Sequence, residues 1–399
     1  MSTDVMEADF HPKTNEDVLA AVQWAAAEKT PLEVIGHGSR RALGKPTQTA
    51  HTLNMSGLSG VTLFEPEELV LTAKAGTPLS EITDLLDAHN QELQFEPADL
   101  GTVMGGEAGH GTLGGLINTN LCGPRRLKAG SARDHILGIT AVSGRGEVFK
   151  SGGRVVKNVT GYDLSKGVTG SYGTLAVLTD ITVKVLPRAE TEKTLMLEGL
   201  TDEQAVEAMA MALGSSAEVS GAAHLPKSVT NGTASTLLRL EGFEPSVAYR
   251  IENLGKLLKE FGSHVQLDAE TSKGQWWAVR DCLPFAANPS HPLWRISCTP
   301  TQGPQIVAAI TDKTAATAFY DWQGGLIWLQ MEDGDAQAEL VRTELAAHGG
   351  GHATLIRATT AQRQATAVFQ PQPAPLAALS ERYRGNFDPH GILNPGRMG

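Results

Sequence analysis

Two glycine-punctuated stretches hold the residues whose types and spacing suit chemistry. Gly36-His37-Gly38-Ser39-Arg40-Arg41 follows a short apolar run at 32–35. A strand ending in such a loop turns several backbone N–H groups toward one point. The Ser39 hydroxyl and the Arg40 or Arg41 charge would add to their pull on an anion. The second stretch, 97–178, carries Gly105-Gly106, Gly109, Gly111 and Gly114-Gly115. Glycine permits positive φ and close approach, and runs of amides form concave anion sites. Both stretches are expected to cradle a phosphorylated ligand. Apolar, β-branched runs at 136–142 and 174–185 would hold the second loop in place, which argues against a mobile linker. A nicotinamide-type Rossmann fingerprint is excluded by context. Gly36 and Gly38 are followed by Arg41 rather than a third glycine, and Gly44 and Pro46 stop any helix.

Other chemistry-bearing residues read more plainly. His348 and His352 are four apart, but Gly349 to Gly351 lie between them, so no helix face presents both and no metal site is expected. Glu332-Asp333-Gly334-Asp335 reads as a solvated turn. Arg280, Arg295 and Arg357 could bind a carboxylate, although lone arginines are more often surface charges or structural pairs. Trp276-Trp277 suggests core or interface packing. Cys122, Cys282 and Cys298 are too scattered for a cluster or a disulfide framework and read as buried free thiols. The net charge of −11 argues against nucleic acid or an anionic membrane as partner. No apolar run approaches the ~18 residues of a bilayer span. The N-terminus lacks a basic, apolar signal pattern, so a cytoplasmic location is expected.

The elements that must position these residues form an α+β pattern, and 399 residues allow two or more domains. A helix at 15–28 is capped by Thr14 and Asp17 and carries Val18, Leu19, Val22 and Ala26 on one stripe. Strands follow at 32–35, 51–55 and 69–75. Thr77 as N-cap and Pro78 at the first position start a helix, and a short strand at 92–95 leads into the long loop. From 193 the order becomes regular: strand 193–197, a helix capped by Thr201 with Gln204, strands near 218–224 and 234–240, and a helix after Ser246. A linking segment at 270–292 precedes strand 293–298, helix 303–313, strands 317–322 and 326–331, helix 335–348 and strand 353–357. Two β-α-β-β-α-β units in series predict an antiparallel sheet with helices on one face. Expected boundaries are 1–190 (subdomains about 1–55 and 56–190), 191–368, and 369–399 as an extended Pro-rich linker with a docking tail.

The motifs G-H-G-S-R-R (36–41), T-L-G-G-L-I-N (112–118), S-A-R-D-H-I-L-G (131–138), V-K-N-V-T-G-Y-D-L (156–164), G-S-Y-G-T-L-A-V-L (170–178) and N-P-G-R (394–397) occur in this order. Together they resemble the FAD-binding domain of the vanillyl-alcohol oxidase/PCMH flavoprotein family. The rest resembles one branch, the FAD-binding E subunits of bacterial glycolate oxidase, through W-R-I-S (294–297), D-W-Q-G-G-L-I-W-L (321–329), G-G-H-A-T-L (350–355) and F-D-P-H-G-I-L-N-P-G-R (387–397). The resemblance implies a PCMH-type domain of two α/β subdomains gripping FAD, plus the antiparallel domain. It places Gly36, His37, Gly38, Ser39 and Arg40 on the pyrophosphate and Pro97, Thr112, Gly114, Gly115 and Asn118 along the second loop. Arg133, Asp134 and the run from Gly173 to Leu178 fall beside the ribityl and ring portions, and Asn394-Pro395-Gly396 folds back near the flavin. Some relatives carry an attachment histidine where Gly38 stands here. Non-covalent FAD is therefore expected, with His110 the remaining attachment candidate.

A flavin enzyme acting on a small 2-hydroxy acid needs a cation for the carboxylate, a base for the hydroxyl proton and hydride access to the flavin. The H-x-G-D-G-N-x-H metal segment of related dehydrogenases is absent. Lys157, Tyr162 and Arg295 are the catalytic candidates, while Asp163 caps the helix after it. The resemblance also implies partners: a second FAD-binding subunit and an iron–sulfur subunit, with any contact to the inner membrane made through them. Three roles follow: an electron-transferring subunit of a glycolate-oxidising complex with a non-NAD acceptor, a self-sufficient D-2-hydroxy-acid dehydrogenase, or a scaffold whose FAD is never reduced.

Overall fold

The computed structural model describes residues 9–155, 161–230 and 232–399. Lys157 lies outside the described residues.

The first helix, Asn15–Glu28, is closed by the expected capping box. Thr14 Oγ1 accepts from the Asp17 N–H at 3.1 Å, and the Asp17 carboxylate accepts from the Thr14 N–H at 2.9 Å. It buries Val18, Ala21, Val22 and Ala25 against Leu32, Leu53, Met55 and Leu58. Strands Leu32–Ile35 and His51–Asn54 pair in parallel. Leu393, from the far end of the chain, bridges to Leu32 in parallel, and Ile392 and Leu393 complete this small core. The tail is thus part of the first layer rather than an appendage.

A five-stranded antiparallel sheet follows, in the order Val61–Glu65, Val70–Lys74, Ala176–Lys184, Ile136–Ser143, Val148–Gly152. Its central strand, Ala176–Lys184, is buried on both faces, which its run of apolar residues requires. The helix after Thr77 departs from expectation: it spans Leu79–Asp87, its N-cap is Pro78, and no side chain caps it. Thr77 Oγ1 instead accepts from the Gly60 N–H at 2.9 Å, tying the preceding loop. The strand expected at 92–95 shrinks to Gln91–Glu92.

The remaining strands build one eight-stranded antiparallel sheet from the two expected units. The first unit contributes His264–Leu267, Thr191–Glu198, Ser235–Gly242 and Gly221–Leu225, in that spatial order. The second contributes Ala316–Asp321, Leu326–Met331, Leu293–Cys298 and Gly351–Arg357. The units meet at the pair His224 and Tyr320. Helices Asp202–Leu213 and Glu244–Leu257 cover one half of one face, and Gly303–Thr311 and Ala338–Ala347 cover the other half. The opposite face, with Ala223, Leu237, Phe319, Trp328 and Ile356, packs into the core shared with the five-stranded sheet.

Two of the longer helices are absent from the sequence reading. Ala269–Arg280 occupies the segment read as a link, capped by Asp268. Ala374–Phe387 starts where the Pro-rich stretch ends, because proline suits a helix N-terminus. The tryptophan pair divides: Trp276 is 1 % exposed and donates from Nε1 to Thr194 Oγ1 at 2.8 Å, whereas Trp277 is 60 % exposed.

Candidate functional site

The loop after strand Leu32–Ile35 lines a cavity. Two glycines make that loop possible. A Cβ on Gly36 would lie 2.4 Å from Thr112 Oγ1, so only glycine lets the loop lie against the start of helix Leu113–Thr119. Gly38 has φ +80°, and a Cβ there would point into open space. Among the described residues the N–H groups of His37, Gly38, Ser39 and Arg40 make no hydrogen bond. Four unpaired donors on consecutive residues are a nest for an anion.

Arg40 anchors the loop from below. Its guanidinium donates to the Gly115 carbonyl at 2.9 Å, to Thr119 Oγ1 at 2.5 Å and to the Ala98 carbonyl at 3.0 Å. All three acceptors are neutral. Burial pulls Arg40 down to about 10 against the pull of the Asp99 carboxylate, which leaves it charged at neutral pH, and among the described residues it makes no ion pair.

A second charge cluster closes the rim. Glu33, 4 % exposed, holds both Arg41, at 2.5 Å, and Arg397, at 2.8 Å. The Glu33 hydrogen bond raises Arg41, while burial lowers Arg397. One carboxylate between two guanidiniums leaves the rim net positive. Asn394 pins the tail across the cavity: Oδ1 accepts from the Val34 N–H at 2.8 Å, and Nδ2 donates to the Tyr172 carbonyl at 2.9 Å. Met55, Ala75, Val177 and Leu178 supply apolar wall.

The structure thus brings Gly36, His37, Gly38, Ser39, Arg40, Thr112, Gly114, Gly115, Asn118, Gly173 and Leu178 to one cavity. It does not bring Pro97, Arg133 or Asp134 there. Pro97 bridges to Cys122 and borders a separate cleft. The Asp134 carboxylate is spent on the Ser131 N–H and hydroxyl, as the capping box of its own short helix. Arg133 lies exposed on that turn, with its N–H on Asn120.

The glycine-dense part of the long loop also serves differently from expectation. Asp99 accepts from the Gly101 N–H at 2.9 Å and the Gly109 N–H at 2.6 Å, so this loop wraps a carboxylate of its own chain. At the helix that follows, the Gly114 and Gly115 amides are taken by the Ala75 carbonyl and Thr112 Oγ1. His110 lies outside the cavity and pairs with Glu107. Tyr162 is 92 % exposed and lines neither cleft of this region. Asp163 caps its helix as expected, accepting from the Lys166 N–H at 3.1 Å.

Residues that the sequence reading did not single out include Glu33, Tyr172 and Arg397. Glu33 had a signal, a lone acid inside the apolar strand that feeds the loop. Tyr172, at φ 54°, lies between two glycines of the G-S-Y-G motif and separates the cavity from a neighbouring cleft that Arg295 lines.

The family described as "FAD binding domain" matches residues 6–152. The chain is 34% identical to the "Glycolate oxidase subunit GlcE" of Escherichia coli (strain K12) over 96% of its own length and 97% of that protein. It is 30% identical to the "Glycolate oxidase subunit GlcD" of Bacillus subtilis (strain 168), over 48% of this chain and 39% of that one. Among solved structures, p-cresol methylhydroxylase with substrate bound superposes with a TM-score of 0.74 at 14% identity, covering 98% of this chain and 88% of the other. That likeness carries the fold alone.

Proposed function

The chain belongs to the glycolate oxidase E-subunit family of FAD-binding oxidoreductases, and we propose that it is the FAD-binding subunit of a complex that oxidises a small 2-hydroxy acid. One observation carries the cofactor's placement: among the described residues, four unpaired amides, 37–40, over a buried Arg40 that makes no ion pair. This donor set fits a pyrophosphate, whose charge the nest and the net-positive Glu33–Arg41–Arg397 rim both favour. The apolar walls fit ring systems on either side.

When bound, FAD supplies the electron pair acceptor that no side chain offers. The chain's own residues bind and orient. Arg40 ties the nest to helix Leu113–Thr119, so that the two loops hold one geometry. Asn394 and Arg397 close the cavity and exclude water from it. No covalent link is proposed, since Gly38 offers no nucleophile and His110 lies elsewhere.

Partnership with a second FAD-binding subunit, and with an iron–sulfur subunit that carries electrons onward to a non-NAD acceptor, belongs to the same proposal. Among the described residues no helix is long and apolar enough to cross a membrane. Contact with the inner membrane would then run through those partners. The test is anaerobic: record the flavin spectrum of the purified chain, add glycolate or D-lactate, and repeat with the co-expressed complex. Bleaching of this subunit's flavin in the complex is the expected result. Bleaching in the isolated chain would make it a self-sufficient dehydrogenase. Flavin that stays oxidised throughout turnover would reduce it to a scaffold, and a colourless chain would refute the proposal.

A further inference from the structure

Beyond Tyr172 and Thr119, which border both spaces, a second cleft opens between the N-terminal half and the eight-stranded sheet. Each side contributes one guanidinium. Arg126 comes from helix Arg126–Ala129, and Arg295 comes from strand Leu293–Cys298. Both stand over the indole of Trp322, at 5.1 and 4.9 Å from its centroid. Among the described residues neither makes an ion pair; Asp134 acts on Arg126 and the largely protonated Asp321 on Arg295 only from beyond that range, and the side-chain hydrogen bond of Arg126 goes to Cys122 Sγ at 3.3 Å.

Two neighbouring cations with no carboxylate in direct contact are costly to keep in a partly desolvated cleft. Such a pair is maintained where an anion will arrive. The platform beneath them is held under strain. Trp322 and Gln323 have φ of 51° and 64°, the left-handed region that bulky side chains rarely adopt and that concentrates at functional positions. Two hydrogen bonds fix the indole residue there: Nε1 to the Gly123 carbonyl at 3.1 Å, and its N–H to Asp321 Oδ1 at 2.7 Å. The cleft's thiol, Cys298, is pushed up to about 11 by burial and offers no anion of its own. Ser297, His352 and Thr354 add polar side chains on adjacent strands.

We propose that this cleft is a carboxylate site for a small 2-hydroxy acid, with Arg126 and Arg295 gripping the carboxylate above Trp322. The assignment rests on reading the neighbouring cavity as the FAD site, because that reading makes the cleft the space beside the cofactor. Trp322 is then a positioning residue: it holds one guanidinium from each half of the molecule at a fixed spacing.

The test uses oxalate, a carboxylate the flavin cannot oxidise. It is titrated calorimetrically, in chloride-free buffer, into the FAD-loaded chain and into chain stripped of flavin. Saturable binding by the wild type is expected. Arg126→Met and Arg295→Met should weaken it about 10- to 100-fold, the scale of a lost charge-assisted hydrogen bond, at unchanged FAD content. Arg295→Lys, which keeps the charge and is mild to the fold, should lose less. Arg154→Met, at an exposed guanidinium, should change nothing. Equal oxalate affinity in all variants, or none in the wild type, overturns the proposal. So does loss of FAD from the two methionine variants while the wild type retains it, because the arginines would then serve the flavin. A wild-type chain that takes up no FAD would sink the cofactor reading instead, and the flavin-free titration would still decide the carboxylate site.

Discussion

Asp321 is a carboxyl that folding should keep protonated near neutral pH. It is 2 % exposed, at the end of strand Ala316–Asp321. Burial pushes it from an ordinary 3.8 up to about 7, and the Trp322 N–H, Arg239 and Arg295 pull against that while Glu96 reinforces it. A carboxyl whose value is raised on folding favours the folded state fully below its unfolded value, and that advantage is lost as pH rises through the folded value. The shift is worth on the order of 4 kcal/mol in total at ~1.4 kcal/mol per unit. Between pH 5 and 7 the wild type should therefore lose about 2 kcal/mol from this group alone, and a little more by pH 8. Asp321→Asn removes the titration and leaves an oxygen to accept from the Trp322 N–H. Urea denaturation followed by tryptophan fluorescence, for both proteins at pH 5 and pH 8, isolates the effect. Other titrating groups, including the buried Glu92 and Glu192, cancel in the difference. The variant should gain about 3 kcal/mol on the wild type across that range. A gap between the two proteins that stays constant with pH would refute a neutral Asp321.

Three further outcomes follow from the loop cavity. Gly38→Val places a branched side chain at φ +80° over the amide nest, so the chain should purify colourless while its far-ultraviolet circular dichroism stays native; a yellow, stoichiometric variant would contradict the pyrophosphate placement. Glu33→Gln leaves Arg397 without its ion pair, and a buried pair broken on one side costs ~3–5 kcal/mol, readable as a lowered thermal midpoint. Asn394→Ala removes bonds to Val34 and Tyr172, so limited proteolysis should release the C-terminal tail sooner and FAD should dissociate faster.

The loop at 36–40 was legible in the sequence because a nest depends on local spacing: a strand, two glycines and a cation. The paired β-α-β-β-α-β units were legible for a similar reason, since apolar periodicity reports each helix and strand separately. The glycine-dense run before Thr112 misled, because amide-rich loops look alike whether their anion is a ligand or their own chain's carboxylate. Only the fold shows that Asp99 fills that role. Helix Ala269–Arg280 was hidden by Gly274 and by a buried face that is partly polar. Ser272 sits within it, bonded to Thr194 and Glu192 at 2.7 Å each. The arginines above Trp322 come from positions 126 and 295, and nothing in local sequence pairs them.

The same limit explains why the tail matters more than its turn-rich sequence suggests. The cavity's charge surplus depends on Glu33 being shared by Arg41, a near neighbour, and Arg397, close to the end of the chain. Without the docked tail, Glu33 would neutralise Arg41 alone, and Val34 and Tyr172 would lose the Asn394 bridge that spans the opening. The anion site is therefore complete only when both ends of the chain are in place. A ligand bound there favours the docked tail by the free energy with which the docked tail favours the ligand. Saturating FAD at 100 times its dissociation constant would add about 2.7 kcal/mol to that closed state. Cofactor uptake and closure of the chain's two ends then behave as a single equilibrium, set by one buried carboxylate.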